Sequence, residues 1–337
     1  MATTATLTPP RTRRARIRRG SQPYLYLLPA FVVMALIVFY PLIYQVWMSF
    51  HEFGLKNFRT VNPVPAEFIG LDNYIRVATS KLQIPNFEFV RLVLFNLFWA
   101  FSNVVVHVIL GVAIALVLNT PGLKFKRFWR SLYIIPVVIP SIIVAAVWRN
   151  MFDADSGAVN LGLQAVGGIF GIPPDHPAFH LNWLRQPQDP IPFIPLPLAF
   201  FAMLTANTWL GWPINSVVAT GALQSIPGDL YEAAEMDGAN WWQKFRNVTL
   251  IYLRPAMLPY AIYGFVITFN LFFLPYFMTA GEPFGRTEIL VTQAYRLAYD
   301  RQLFGVAAAF CVYLFFLLLA VTLVTNKLAK ATRSYAE

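Results

Sequence analysis

Asp229-Leu230-Tyr231-Glu232-Ala233-Ala234-Glu235-Met236-Asp237-Gly238-Ala239 is a polar interval set between two long apolar runs. It reads as a short helix. Asp229 is placed to cap the first turn, Glu232 three residues on to reach back in a capping box, and Gly238 to supply the positive φ that ends the helix. Asn240 and Gln243 repeat that spacing. A second helix is therefore predicted at once, carrying Trp241, Trp242, Phe245 and Val248 into the next apolar run.

Outward from this interval, composition sets the class. Of 337 residues, 57% are hydrophobic and only 12% charged, about half the usual charged share of a soluble domain. The chain is therefore an integral membrane protein. The single cysteine, Cys311, excludes a disulfide framework. The net charge of +10 raises the question of nucleic acid. No basic cluster interleaved with aromatics sits on a soluble domain large enough to hold a duplex, so nucleic-acid binding is set aside.

Six apolar runs are expected to cross the bilayer as helices: 24–47, 92–118, 131–152, 197–222, 255–280 and 303–326. Each is close to the roughly 20 residues that hydrocarbon requires. The first is too long for a signal-peptide core and lacks a small-residue cleavage site, so it reads as a retained anchor. The organisation predicted is a basic tail over 1–23, a six-span domain over 24–326 containing a polar loop at 223–254, and a C-terminal tail over 327–337. An even number of spans puts both termini on one side. The tail, the basic hinge Lys124, Lys126, Arg127 and Arg130, the polar loop and the C-terminus hold 16 of the 26 Lys and Arg but five of the 16 acids, leaving +11 there and −1 elsewhere. Both termini and the polar loop are thus expected to be cytoplasmic. The two longest outer segments, 48–91 and 153–196, are too small for a nucleotide-binding domain. The second carries seven prolines between Pro173 and Pro195, which predicts an irregular cap.

Much chemistry is missing. No phosphate-cradling Gly-x-x-x-x-Gly-Lys-Ser/Thr occurs, so ATP, if used, is hydrolysed by a partner. No Asp or Glu lies inside the six runs, which favours an external motor over ion coupling. His107 reads as a neutral histidine hydrogen-bonded at a helix contact rather than a proton relay. His176 and His180 have metal-like spacing, but Pro177 disfavours the helix that spacing needs, and no metal site or catalytic set is expected. In the fourth run Thr208, Trp212 and Asn215 share a face, with Gly211 leaving room beside them. In the fifth, Tyr263 and Asn270 share a face, with Thr268 nearby. Rings with neutral amides and hydroxyls suit a polyol; small and polar residues equally suit helix packing.

Glu232-Ala233-Ala234, then Asp237-Gly238-Ala239, Phe245, Val248 and Leu250, resembles the EAA loop of permease subunits in binding-protein-dependent ABC importers. The Phe68–Tyr74 stretch, Arg130 with Pro136 and Pro140, Asn182-Trp183-Leu184, Trp209-Leu210-Gly211-Trp212-Pro213, Leu223–Pro227 and Gly305–Ala309 extend the likeness to carbohydrate-importer permeases. Trp209–Pro213, Phe269-Asn270 and Thr287–Tyr295 are most similar to the larger, MalF-type subunit of maltose importers. The resemblance implies an all-α, six-helix type I importer permease fold in a bacterial or archaeal cell membrane. It implies that Glu232, Ala233, Ala234, Asp237 and Gly238 couple to a cytoplasmic ATPase dimer, and that Leu210, Gly211, Ile214, Gly264, Ile267, Thr268 and Leu271 face the sugar. It further implies a second, similar permease subunit, an extracytoplasmic sugar-binding protein, surrounding lipid, and no cofactor on this chain, ATP and Mg being used by the ATPase. The substrate implied is a neutral mono- or oligosaccharide of the maltose, maltodextrin or trehalose kind. The rival readings are an ion-coupled secondary carrier, a membrane scaffold that docks a cytoplasmic partner without transporting, and, for the EAA stretch itself, an amphipathic helix lying on the membrane surface.

Overall fold

The computed structural model describes residues 13–329, apart from 61, 63, 83 and 121, and side chains between 24 and 327. The tails expected over 1–23 and 327–337 lie almost wholly outside the described side chains. The first span is α1 (Arg13–Met34) and α2 (Tyr40–Ser49), joined by a π segment at Ala35–Phe39. No side chain from Tyr24 to Met48 is buried by the rest of the chain. A two-residue hairpin follows, β1 (His51–Glu52) against β2 (Glu67–Phe68), then α3 (Asp72–Ala78). Asn73 is buried and donates to the Ser49 and His51 carbonyls, so one amide fastens hairpin and α3 to the end of the first span.

The second span is α4 (Phe89–Asn119), about 46 Å long at 1.5 Å per residue. The third departs from expectation. Instead of one helix over 131–152 there are α5 (Lys126–Tyr133), α6 (Ile135–Val138) and α7 (Ser141–Met151), with a 95° bend between Val138 and Ser141. Pro140 lacks an N–H and forces Ile139 into extended backbone, with φ −83° and ψ 127°. The outer segment is likewise less irregular than its prolines suggested. Ala158–Ile169 forms α8, a proline-free stretch whose apolar residues recur at helical spacing. Its Asn160 is buried, donates to Ala154 and Leu181 carbonyls and accepts from the Trp183 indole.

The fourth span is α9 (Leu198–Gln224). Four helical runs, Tyr24–Ser49, Phe89–Asn119, Trp241–Met278 and Phe304–Lys327, are long and apolar enough to cross a bilayer among the described residues, and the bent pair makes a fifth. α9, 27 residues, has the length of a span without the apolarity of the other five. Its Asn207, Asn215, Ser216 and Thr220 are all buried against neighbours, and those same residues lower its hydropathy.

After α9 come α10 (Gly228–Met236), α11 (Trp241–Lys244), a π segment at Phe245–Thr249, and α12 (Leu250–Phe269). The fifth span, expected unbroken over 255–280, is interrupted at Asn270, after which α13 (Phe273–Met278) resumes. α14 (Leu290–Tyr299) and α15 (Phe304–Ala329) complete the chain. α4 contributes to all three buried clusters. Leu92 and Ala100 pack with Phe269, Leu297 and Phe310; Trp99 with Phe200, Met203 and Leu274; Ala115 with Ala219, Leu223 and Leu253. The helical bundle is thus built around α4, with α9 along its length.

Candidate functional site

The loop after α9 is held at both ends by backbone geometry. Pro227 is the cap residue of α10 and no side chain caps the helix; the expected Asp229–Glu232 capping box is not formed. Starting the helix at Gly228 puts Asp229 inside the first turn, where its charge meets the helix dipole instead. The other end matches expectation. Gly238 has φ +74°, its N–H donates to Glu235 O, and Ala239 N–H donates to Ala234 O, the paired bonds of a Schellman end. Asn240 and Gln243 form the predicted reciprocal capping box at 2.7 and 2.9 Å.

Two side-chain ties fix the orientation of α10. The Tyr231 hydroxyl lies 2.8 Å from Thr249 Oγ1, and Lys244 Nζ pairs with Glu235 Oε1 at 2.6 Å. These turn Ala234 half inward and leave Asp229, Glu232, Ala233, Met236, Asp237 and Gly238 exposed. The result is a rigid helix whose outward face is acidic and apolar and touches nothing in this chain. Helical backbone runs without a break from Trp241 to Phe269, so a push on α10 reaches α12 through the Tyr231–Thr249 and Glu235–Lys244 ties.

Within the spans, the residues expected around a path separate into groups. Gly211 and Asn215 lie in the α4–α9 contact. A methyl at Gly211 would sit 2.1 Å from His107 Cε1, and one at Gly111 2.4 Å from Asn215 Cβ. Asn215 spends its amide on the Gly211 carbonyl. Thr208, Trp212 and Asn215 therefore do not form one open face: Asn215 is packed on α4 while the Trp212 ring lies 5.5 Å from that of Tyr133. Leu210 and Ile214 are half-buried. Trp209 and Trp212 line an apolar recess with Ile114 and Trp129. On α12, Tyr263, Ile267 and Asn270 are exposed and follow one another at four and three residues, a single open stripe. A methyl at Gly264 would sit 3.9 Å from Val104 Cγ2, Thr268 is buried, and Leu271 is partly buried after the break.

His107 is buried at the α4–α9 contact, hydrogen-bonded to the Asn207 backbone across it as expected, while its Nε2 has no partner. The polar stripe along α4 is larger than the sequence suggested. Asn207 donates to Asn103 Oδ1 at 2.7 Å, and Asn96 accepts from Leu290 N–H and donates to Phe269 O. Asn96 thus ties α4 to the break after α12 and to the start of α14.

The opposite end of the molecule carries a polar assembly that sequence reading treated as a loop. Glu288 is buried, pairs with Arg296 Nε at 2.6 Å and accepts from Thr292. Arg296 also donates to Ala280 O. The spacing of 288, 292 and 296 was the available signal, one helical face of alternating donor and acceptor. Arg286 pairs with Asp189 at 2.7 Å and donates to Pro187 and Pro195 carbonyls, pinning the proline-rich segment over α13 and α14. Nearby, Asp153 is held below the usual carboxylate range by the Ser156 N–H and hydroxyl and the Asp155 N–H. It belongs to a recess of about 330 Å³ with Arg149, Asn182, Arg185 and Glu282. His176 and His180 are used within their own loop, on Ala178 N–H and Pro174 O. No group of potential metal ligands occurs among the described residues.

Residues 107–333 match the family described as binding-protein-dependent transport system inner membrane component. The chain is 30% identical over 323 residues, 96% of its own length and 98% of the relative's, to the trehalose/maltose transport system permease protein MalF of Thermococcus litoralis. It is 28% identical over 307 residues, 89% of this chain and 68% of the relative, to the galactooligosaccharides transport system permease protein GanP of Bacillus subtilis. In fold, 95% of it matches 98% of a chain from the crystal structure of a bacterial ABC transporter involved in the import of the acidic polysaccharide alginate, with a TM-score of 0.72 and 19% identity.

Proposed function

Because the chain belongs to the family of binding-protein-dependent transport system inner membrane components, we propose that it is the permease subunit of an ATP-driven importer for a neutral mono- or oligosaccharide of the maltodextrin or trehalose kind. The observation that carries this reading is α10: a helix fixed at both ends, tied through Tyr231 and Glu235 to Thr249 and Lys244 in the helical run that leads into α12, and presenting Glu232 and Ala233 to nothing in its own chain.

In this reading the exposed face of α10 sits in a cytoplasmic ATPase subunit that binds ATP and Mg. Closure of the ATPase pair displaces α10. The rigid run through α11 transmits that displacement to α12, while the Pro140 bend lets α7 move relative to α5. Tyr263, Ile267 and Asn270 form this chain's open wall of the path, facing a second permease subunit, and Leu210 and Ile214 contribute from α9, while Trp209 and Trp212 back them from the apolar recess beside α5. Gly211, Asn215 and Thr268 hold the wall rather than touch sugar in this conformation. An uncharged wall suits an uncharged polyol, whose C–H faces meet rings and whose hydroxyls meet amides. An extracytoplasmic sugar-binding protein delivers the substrate to the end carrying Arg286 and Asp189. Both termini and α10 lie in the cytoplasm, on the side with the positive excess.

The test is ATP hydrolysis by the reconstituted complex with its binding protein, measured against maltose, maltodextrins, trehalose and galactooligosaccharides. One neutral sugar is expected to stimulate the rate. Glu232→Ala is expected to abolish most of that stimulation while the chain still inserts in the membrane. Undiminished transport by that variant would remove α10 from the coupling role.

A further inference from the structure

Beyond the transport path, the structure carries a second binding site at the end of the molecule that bears α10. We propose that the recess between α5 and α9 holds the phosphate of an anionic phospholipid, with an acyl chain of that lipid in the apolar groove beside it.

The recess has a volume of about 480 Å³ and is bounded by Arg130, Ser131, Tyr133, Thr220, Gly221 and Gln224. Two of its polar atoms lack partners. Thr220 is only 7% exposed, and its Oγ1 makes no hydrogen bond; Arg130 Nε is likewise buried and unpaired. Elsewhere in these helices a threonine hydroxyl turns back to the carbonyl four residues earlier, as Thr205 does to Phe201 and Thr325 to Val321. Thr220 does not, and an orphaned buried hydroxyl costs free energy unless something accepts from it. Arg130 enters none of the ion pairs among the described residues. A guanidinium fork beside a free hydroxyl is a donor set for phosphate oxygens.

What makes the occupant a lipid is the neighbouring groove. A recess of about 700 Å³ begins at the shared Tyr133 and runs along Ile114, Val117, Trp129, Leu132 and Trp212. α5 itself carries Lys126, Arg127 and Arg130 among exposed Phe128, Trp129 and Leu132, the composition of a helix lying in the headgroup layer. Basic pockets between helices on the cytoplasmic side are suited to anionic headgroups, with about fivefold in affinity per cationic side chain. A free phosphate would use the donors and leave the groove empty. An acidic side chain of the second permease subunit is the other candidate for the donors.

The experiment is native mass spectrometry of the whole importer complex released from phosphatidylcholine nanodiscs doped with phosphatidylglycerol. Wild type is expected to retain one phosphatidylglycerol for each copy of this chain. Arg130→Ala is expected to lower that retention about fivefold, and Lys124→Ala, on the exposed turn before α5, to leave it unchanged. Should Arg130→Ala fail to assemble, Thr220→Val removes only the hydroxyl, and reduced retention by it carries the same weight. Arg130→Lys is expected to fall between Ala and wild type, because charge remains and the fork is lost. Three results would overturn the site: lipid retention independent of residues 130 and 220, displacement of the lipid by inorganic phosphate alone, or loss of the second permease subunit with lipid retention intact.

Discussion

At Gly211 the absence of a side chain decides how closely two spans approach. Its Cα faces the His107 imidazole, and an added methyl would sit 2.1 Å from Cε1, inside any tolerable contact. Gly211→Ala must therefore push α9 from α4 or swing His107 out of its site, an overpacking cost of about 1–3 kcal/mol. The expected outcome is a lower melting temperature of the purified complex. His107→Ala opens the matching space, so the double variant is expected to recover much of the loss; equal melting of Gly211→Ala and the double variant would show that the two residues do not share the contact. Gly238 acts through backbone alone. At φ +74° with open space around it, Gly238→Ala costs about 1–2 kcal/mol and loosens the Schellman end, so weaker ATPase stimulation with normal assembly is expected. Gly238 was legible because glycine after an acidic helix has one local meaning. Gly211 was not: on a helix, a glycine that admits substrate and one that admits a histidine look alike, and only the partner helix distinguishes them.

Elements were legible where their causes are local. The long apolar runs declare themselves by length, and the Asn240–Gln243 cap by spacing. The third span breaks because of Pro140, yet Pro213 in α9 and Pro255 and Pro259 in α12 stand inside unbroken helices. Whether a proline bends a helix depends on whether its neighbours hold the freed carbonyl, which is tertiary information. The same limit hid α14 and the Glu288–Arg296 pair, which lie between the fifth and sixth runs where only a connecting loop was expected, although Glu288 is 8% exposed. If the 95° bend is a working joint, restoring the backbone donor has a defined effect. Pro140→Ala is expected to straighten the α6–α7 junction, preserve assembly with the ATPase and reduce sugar-stimulated hydrolysis; stimulation at the wild-type level would make the bend incidental. At the end carrying α8, Arg286→Ala removes the Asp189 pair and two carbonyl contacts at once. Faster limited proteolysis between α8 and α9 is expected, with α9 itself protected.

For the molecule as a whole, every proposed role depends on which end faces the cytoplasm. α4 and α9 run in the same direction and α9 leads straight into α10, so α10 and the Arg130 recess share one end, while α8, Arg286 and Glu288 occupy the other. The proposed orientation, drawn from the charge excess, puts α10's end in the cytoplasm, and an ATPase can reach α10 only in that orientation. Two glycines allow a clean measurement, because a side chain at Gly168 in α8 or Gly228 in α10 meets no atom within 4 Å. With Cys311→Ala removing the native thiol, Gly168→Cys is expected to react with a membrane-impermeant maleimide in intact cells with the outer barrier opened. Gly228→Cys is expected to react only after the membrane itself is permeabilised. The opposite pattern would put the acidic face of α10 outside, where no ATPase meets it, and would return the chain to the reading in which the polar residues of the fourth and fifth spans serve packing alone.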